Sequence, residues 1–237
     1  MLVLALDTAT PAVTVALHDG TAVLAESRQV DARRHGELLL PAVHRVLAEA
    51  GVRLGAVTDI VAGVGPGPYT GLRVGLATAD AFGAALGVPV RGLCTLDGIA
   101  YEAVRAGGLA EPFVVATDAR RKEVYWARYE PGGPGGVTRV AGPAVDRPAD
   151  IAERVAGLPV AGAGAALYPE VLGGAARPGL PEHQSAGALA ALAAEKLAAG
   201  ESATGEPAAG AFLPNRPLYL RRPDARVPAN YKVVTPR

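Results

Sequence analysis

The segment "LVLALDTATPAVTVALHDGT", residues 2–21, returns in outline as "FVVATDARRKEVYWARYEPGG", residues 113–133. Asp118 stands where Asp7 stood, and Val124, Trp126 and Arg128 stand where Val13, Val15 and Leu17 stood. Later "VAGAGA" (160–165) echoes "VAGVGP" (61–66), and a small-residue segment of helical character follows each. A repeat of a whole unit constrains the fold more than any single motif, because each copy must build the same supersecondary structure. The expectation is an α/β protein of two similar lobes that meet near residues 107–111: a first lobe over 1–108 and a smaller second lobe over 109–237.

Within the first lobe "LVLALD" is an apolar run of strand length. Val13, Val15 and Leu17 then alternate with Thr14, Ala16 and His18, the period of a half-buried strand. Asp19-Gly20 reads as a two-residue hairpin turn. Three antiparallel strands are thus followed by strands "DIVAGVG" and "VPVRGL" alternating with helices, which implies a parallel portion. In "HGELLLPAVHRVLAEAG" one helical stripe carries Leu39, Leu40, Val43, Val46, Leu47 and Ala50, and Gly51 stops it. Pro41 would cost about 3 kcal/mol in a helix interior, so the helix either starts near Leu38 or bends.

The stretch "GVGPGPYTGLRVG" (63–75) has the glycines of a phosphate loop but not its chemistry. No lysine follows, the third glycine of G-x-G-x-x-G is replaced by Thr70, and Pro66 and Pro68 supply no N–H. Downstream, Gly71, Gly75, Ala79, Gly83 and Gly87 recur every fourth residue and draw a bare line along one helix face. Each helical glycine costs about 0.8–1.0 kcal/mol against alanine, so another backbone must come close in compensation. That neighbour is either a second protein or the chain's own sheet. Leu72, Leu76 and Phe82 flank the line.

Elsewhere the sequence excludes more than it offers. The 23 basic residues balance the 23 acidic ones, so no global field advertises nucleic acid or an anionic membrane. One cysteine, Cys94, allows no internal disulfide and has no nucleophile signature around it. The start has no basic leader, and no run of about 18 apolar residues is free of charge, which points to a cytoplasmic protein without a membrane span. His18, His35, His44 and His183 offer no i, i+4 metal pair. Asp7, at a strand end, suits either magnesium or turn capping. "ARRK" (119–122) occupies the matching turn of the second lobe as a surface cluster. The C-terminal run Arg216, Arg221, Arg222, Arg226, Lys232 and Arg237 either touches RNA phosphate or forms a wrapping tail.

Taken together, "LALDTAT", "RRHGELLLPAVHRVLAEAG", "GVGPGPYTGLRVGLATADAFGAALGVPVRGLCTLDGIA", "DARRKEVYWARYE" and "PLYLR" resemble the TsaB family across almost the whole chain. The family pattern usually has Ser-Phe where this chain has Pro68-Tyr69. The resemblance implies the duplicated ribonuclease-H-like lobes of the actin/Hsp70/sugar-kinase (ASKHA) fold. It implies a non-catalytic subunit in threonylcarbamoylation of the tRNA adenosine next to the anticodon, without metal or cofactor of its own. The catalytic sister family, TsaD, carries an H-x-x-x-H metal pair at positions that align with Thr95 and Ile99, neither a ligand. The D-x-G-T phosphate loop of the fold is replaced by Asp7, Thr8, Ala9 and Thr10, a vestigial nucleotide loop. The partners implied are a TsaD-like catalytic subunit, a TsaE-like P-loop ATPase, tRNA through the complex, and a homodimer when the chain is alone. The interface would use two helices, with Leu39, Leu40, Val43, Val46, Leu47, Gly71, Leu72, Gly75, Leu76, Ala79, Phe82 and Gly83. The alternatives are an ATP-dependent phosphotransferase of the same fold, with Asp7 holding magnesium, and a peptidase.

Overall fold

The computed structural model describes residues 1–106, 108–133, 136–173, 177–200 and 212–221. Of the basic C-terminal run, Arg216 and Arg221 fall among them; Arg222, Arg226, Lys232 and Arg237 lie outside the described residues, as does residue 107 of the expected lobe boundary.

Two sheets reproduce the sequence repeat. In the first, β1 (Val3–Asp7), β2 (Ala12–His18) and β3 (Val23–Val30) form the antiparallel part, and β4 (Asp59–Gly63) and β5 (Val90–Leu93) add in parallel, in the order β3-β2-β1-β4-β5. In the second, β6 (Phe113–Asp118), β7 (Val124–Pro131), β8 (Val137–Asp146) and β9 (Val160–Ala161) take the order β8-β7-β6-β9, again with β6 parallel to β9 and antiparallel to β7. Asp7 and Asp118 end the two equivalent strands. The helices are α1 (His35–Glu49), α2 (Tyr69–Leu86), α3 (Thr95–Arg105), α4 (Pro148–Val155), the short α5 (Gly164–Leu167) and α6 (Pro169–Leu172), and α7 (Ala186–Ala198).

Layering follows from which side chains each sheet face presents. Leu4, Leu6, Val13, Val15, Leu17 and Ile60 form one face of the first sheet and bury against α1 and α2. Val3, Ala5, Ala16 and Val61 form the other, and α7 covers it with Leu189, Ala190 and Ala193. The second sheet packs Phe113, Val115, Ala127 and Tyr129 against α3, and Val114, Ala116 and Trp126 against Ile151 of α4 and Leu172 of α6. Because α7 covers the far face, β2 is buried on both sides, not half-buried as its alternation predicts. Thr14 tolerates this burial by accepting a hydrogen bond from the Ala186 N–H at the start of α7.

The packing does not respect a cut at residue 108. Helix α7, from the second half of the sequence, lies on the first sheet, whereas α3, from the first half, lies on the second. Leu213 returns to pair with Gly92 at the end of β5. Two local expectations also shift. The β2–β3 turn spans Asp19–Ala22 rather than two residues, because the Asp19 carboxylate collects the Thr21 and Ala22 N–H groups. Helix α1 starts at His35, not near Leu38. Pro41 sits inside it on the exposed side, with Glu37, whose carbonyl loses its helical partner, exposed as well.

Candidate functional site

Two places concentrate the residues the sequence singles out: the β1–β2 turn, and the outer face of α1 and α2. At the turn Asp7 is fully buried. Its Oδ1 accepts from the Ala9 N–H at 2.6 Å and its Oδ2 accepts from the Thr95 hydroxyl at 2.7 Å. Gly63 presses against the carboxylate so closely that a Cβ there would lie 1.6 Å from Oδ2. Burial pushes the Asp7 pKa up from 3.8 to about 6, against the opposing pull of Thr95, Ala9 and His35. A carboxylate enclosed in this way, with a hydrogen bond on each oxygen, pins the turn. The capping reading of Asp7 is the one the geometry fits.

Thr8 explains the glycines. Its hydroxyl donates to the Gly71 carbonyl at 2.7 Å and accepts from the Gly75 N–H at 3.0 Å, so it inserts between two backbone groups that an α-helix pairs with each other. A Cβ on Gly75 would meet Thr8 Oγ1 at 2.6 Å, one on Gly71 the Thr8 carbonyl at 2.8 Å, and one on Gly83 the Val90 Cγ2 at 2.2 Å. The bare line of α2 therefore faces the chain's own first sheet and turn. Thr10, also buried, accepts from Ala12 N–H, and its carbonyl lies 2.9 Å from His35 Nε2. A cavity of about 250 Å³ opens beside the turn, between Thr8, Thr10, His35, Thr70, Arg33 and Arg120.

This placement puts most of the expected interface set inside the molecule. Leu39, Val43 and Val46 belong to the core under α1, and Leu72, Leu76 and Ala79 to the core under α2. With Gly71, Gly75 and Gly83 they are occupied inside the molecule, apart from the rim of Val43. The residues that reach the outside are Leu40, Leu47 and Phe82. With Val43, His44, Ala48, Val52, Leu54 and the one charged lining residue, Arg53, they form a largely apolar groove of about 520 Å³ between α1 and α2. His44, Ala48, Val52 and Leu54 were missed because the stronger stripe of α1 is its core face. The signal that could have found two of them is the second, weaker stripe Leu40, His44, Leu47, Ala48, at helical spacing. Beside the groove, α2 exposes the small side chains Ala77, Ala81, Ala84 and Ala85 around Asp80, and the alanines let another surface approach its backbone.

No other reactive centre emerges. Burial lifts the Cys94 thiol to about 12, so it stays protonated at neutral pH. Ile99 lies in the core against the second sheet, and Thr95 is spent on Asp7 and on the Gly65 N–H. Among the described residues no three His, Cys, Asp or Glu side chains group closely enough to hold a metal ion, and no helix is long and apolar enough to cross a membrane.

Comparison with known proteins gives the family of the chain. The family model described as TsaD, tRNA N6-adenosine threonylcarbamoyltransferase, matches residues 23–172. An uncharacterized protein of Mycobacterium tuberculosis is 43% identical over 232 residues, covering 94% of this chain and 93% of the relative. The tRNA threonylcarbamoyladenosine biosynthesis protein TsaB of Escherichia coli is 38% identical over 131 residues, 55% of each chain, and its Bacillus subtilis counterpart 32% over 130 residues. Among solved structures, YeaZ from Pseudomonas aeruginosa superposes with a TM-score of 0.73 at 34% identity, over 92% of this chain and 99% of that one. A second Pseudomonas aeruginosa structure, described as similar to the peptidase YeaZ, reaches 0.76 at 33% identity.

Proposed function

The chain belongs to the TsaB/YeaZ family, and from that premise we propose that it serves tRNA threonylcarbamoyladenosine biosynthesis as the non-catalytic partner of a TsaD-like subunit. The observation that carries the partner role is the apolar groove between α1 and α2. Leu40 is 55% exposed on its rim, and a contiguous apolar surface of this kind is rarely left in water without an occupant. A TsaD-like subunit seated there would bury Leu40, Leu47 and Phe82 and would approach the alanines of α2 closely.

The non-catalytic part of the reading is supported by the fate of Asp7 and Thr8. In a phosphotransferase of this fold the strand-end aspartate must meet magnesium and the following turn must receive phosphate. Here the carboxylate is sealed behind Gly63 and Thr95, and the Thr8 hydroxyl is committed to α2. In this reading the groups that react belong to the TsaD-like subunit. This chain contributes a preformed surface, and a TsaE-like ATPase and tRNA join through the complex.

The test is tRNA threonylcarbamoylation by the cognate TsaD-like and TsaE-like proteins, supplied with threonylcarbamoyl-adenylate and ATP, with and without this chain. Product should form only when the chain is present. Leu40→Glu, which places a charge on the exposed rim of the groove, should leave thermal unfolding nearly unchanged and weaken the pairing at least about a hundredfold. Product formed equally well without the chain would refute the role, and unchanged pairing by Leu40→Glu would refute the surface.

A further inference from the structure

Tyr69 and Tyr219 come from segments 150 positions apart and stack on each other at the surface, their ring centroids 5.5 Å apart and their planes 20° from parallel. Both are exposed, at 57% and 48%. Arg73, one helical turn beyond Tyr69, sets its guanidinium 5.0 Å from the Tyr69 ring centroid and donates to its hydroxyl. Tyr219 is delivered by the returning C-terminal segment, which is fixed to the first lobe before it and to the β6–β7 turn of the second sheet after it. The Leu218 N–H donates to the Val64 carbonyl at 2.8 Å, Asn215 Nδ2 donates to the Leu76 carbonyl at 3.1 Å, and Arg221 reaches across to the Ala119 carbonyl at 2.8 Å. Tyr219 keeps 48% of its surface exposed while it stacks on Tyr69, so its ring offers aromatic surface beyond that stack.

The second observation lies beside this pair. The β6–β7 turn holds three consecutive residues, Arg120, Arg121 and Lys122, in the left-handed region, at φ values of 60°, 56° and 62°. None is glycine, and L-residues resist this region, so the turn is a costly way to join two strands. What it achieves is to project three exposed cationic side chains together. Arg120 also forms a wall of the 250 Å³ cavity, where it meets Arg33 and Thr70, the neighbour of Tyr69. The acids nearby are already engaged: Asp118 with Arg120, Glu123 with Arg221, and Asp80 with Asn215.

Exposed aromatic surface flanked by positively charged side chains is the chemistry that holds unpaired nucleotides, with bases stacking and phosphates neutralised. We propose that this surface binds single-stranded RNA, one unpaired base lying on the exposed surface of the Tyr219 ring and the adjoining phosphates against Arg120 and Arg33. The choice of RNA as the polyanion rests on the proposed role in tRNA modification; the stacking and charge stand on the geometry.

The test uses fluorescence anisotropy on the full chain, alone and paired with the TsaD-like subunit. The probes are a labelled 17-nucleotide RNA hairpin with a seven-base loop, an unstructured 12-nucleotide RNA, and a 12-base-pair RNA duplex. The hairpin and the single strand should bind at least about tenfold more tightly than the duplex. Tyr219→Ala should weaken them by about five- to a hundredfold while Tyr219→Phe binds as the parent. Arg120→Gln should lower the slope of log affinity against log salt by about one. Binding by neither chain nor complex, equal binding of duplex and single strand, or an unaffected Tyr219→Ala would overturn the proposal. Loss of TsaD-like pairing in Tyr219→Ala with RNA binding intact would make the surface a protein contact and overturn it equally. The modification assay separates the two readings. If the chain is required but Tyr219→Ala leaves the KM for tRNA unchanged, this surface fails and the subunit role stands. If modification proceeds without the chain, the subunit role fails whatever the RNA probes show.

Discussion

Replacing Gly75 with alanine should change stability in opposite directions depending on whether Thr8 is present. Alone, the new Cβ lies 2.6 Å from Thr8 Oγ1, far inside contact distance, with Leu6 Cδ1 at 3.4 Å closing the other side. The least costly relief is for Thr8 to turn its hydroxyl away, which forfeits its bonds to Gly75 N–H and the Gly71 carbonyl. Two buried hydrogen bonds at about 1–1.5 kcal/mol each cost about 2–3 kcal/mol. The gain in helix propensity from glycine to alanine returns about 1 kcal/mol. The net is a loss of about 1–2 kcal/mol. In a Thr8→Ala background the clash is gone, and the nearest remaining Thr8 atom, Cβ, sits at an ordinary 3.6 Å. There Gly75→Ala should stabilise by up to about 1 kcal/mol, a coupling of about 2–3 kcal/mol between the two sites. Urea unfolding of the parent, both single variants and the double variant measures it. A Gly75→Ala effect of the same sign and size in both backgrounds would refute the wedge and reopen the case for a glycine line turned toward a partner.

Two further outcomes follow from buried carboxylates. The Asp7 pKa is about 6 when folded and 3.8 ordinarily, so its contribution is fully present below about pH 4 and is lost as pH rises through 6. Asp7→Asn should therefore flatten the pH dependence of the urea midpoint between pH 4 and 7, the parent losing about 3 kcal/mol relative to the variant across that window; parallel profiles would contradict the burial argument. Tyr129→Phe removes the hydroxyl that donates to Asp97 Oδ1 at 2.7 Å and should cost about 1–3 kcal/mol in thermal or urea unfolding, whereas no loss would mean that Arg139 alone satisfies Asp97.

The repeat made the two-sheet plan legible because it is written in strand-level chemistry: alternating apolar residues, a terminal aspartate, a small-residue turn. Those features are local, and both sheets follow them in the same order. Helix faces were harder. The strong apolar stripe of α1 is visible from Leu39 to Ala50, but hydrophobicity marks the side that is buried, and an interface is what remains after the core has taken its share. Leu40 and Leu47 survive that subtraction; Leu39 and Val46 do not. For α2 the spacing of Gly71, Gly75 and Gly83 gives a close approach without saying to what, since Thr8 and Val90 are named only by the tertiary fold. Asp97 reads as an ordinary acid in the first turn of α3, where the helix dipole favours it. Its partners Tyr129 and Arg139 lie on two strands of the other sheet, 32 and 42 positions away.

That last contact bears on what the fold is used for. A cleft that works by closing one lobe on the other requires an interface that opens. Here the two sheets share α3 and α7 between them, and the seam contains a buried carboxylate. Asp97 accepts from Tyr129 and from Arg139 Nη1 at 3.0 Å, while Glu195 of α7 receives both the Tyr101 hydroxyl and Arg105 of α3. Burial raises the Asp97 pKa, with Arg139 opposing the shift most strongly. Pulling Tyr129 and Arg139 away would strand that carboxyl without partners in a low-dielectric seam, a state about 3–5 kcal/mol uphill for a buried ion pair. A molecule held shut in this way keeps its two sheets in one arrangement. The ordering of α1 against α2, and of Tyr219 against Tyr69, is completed before any partner arrives, so association need not supply it.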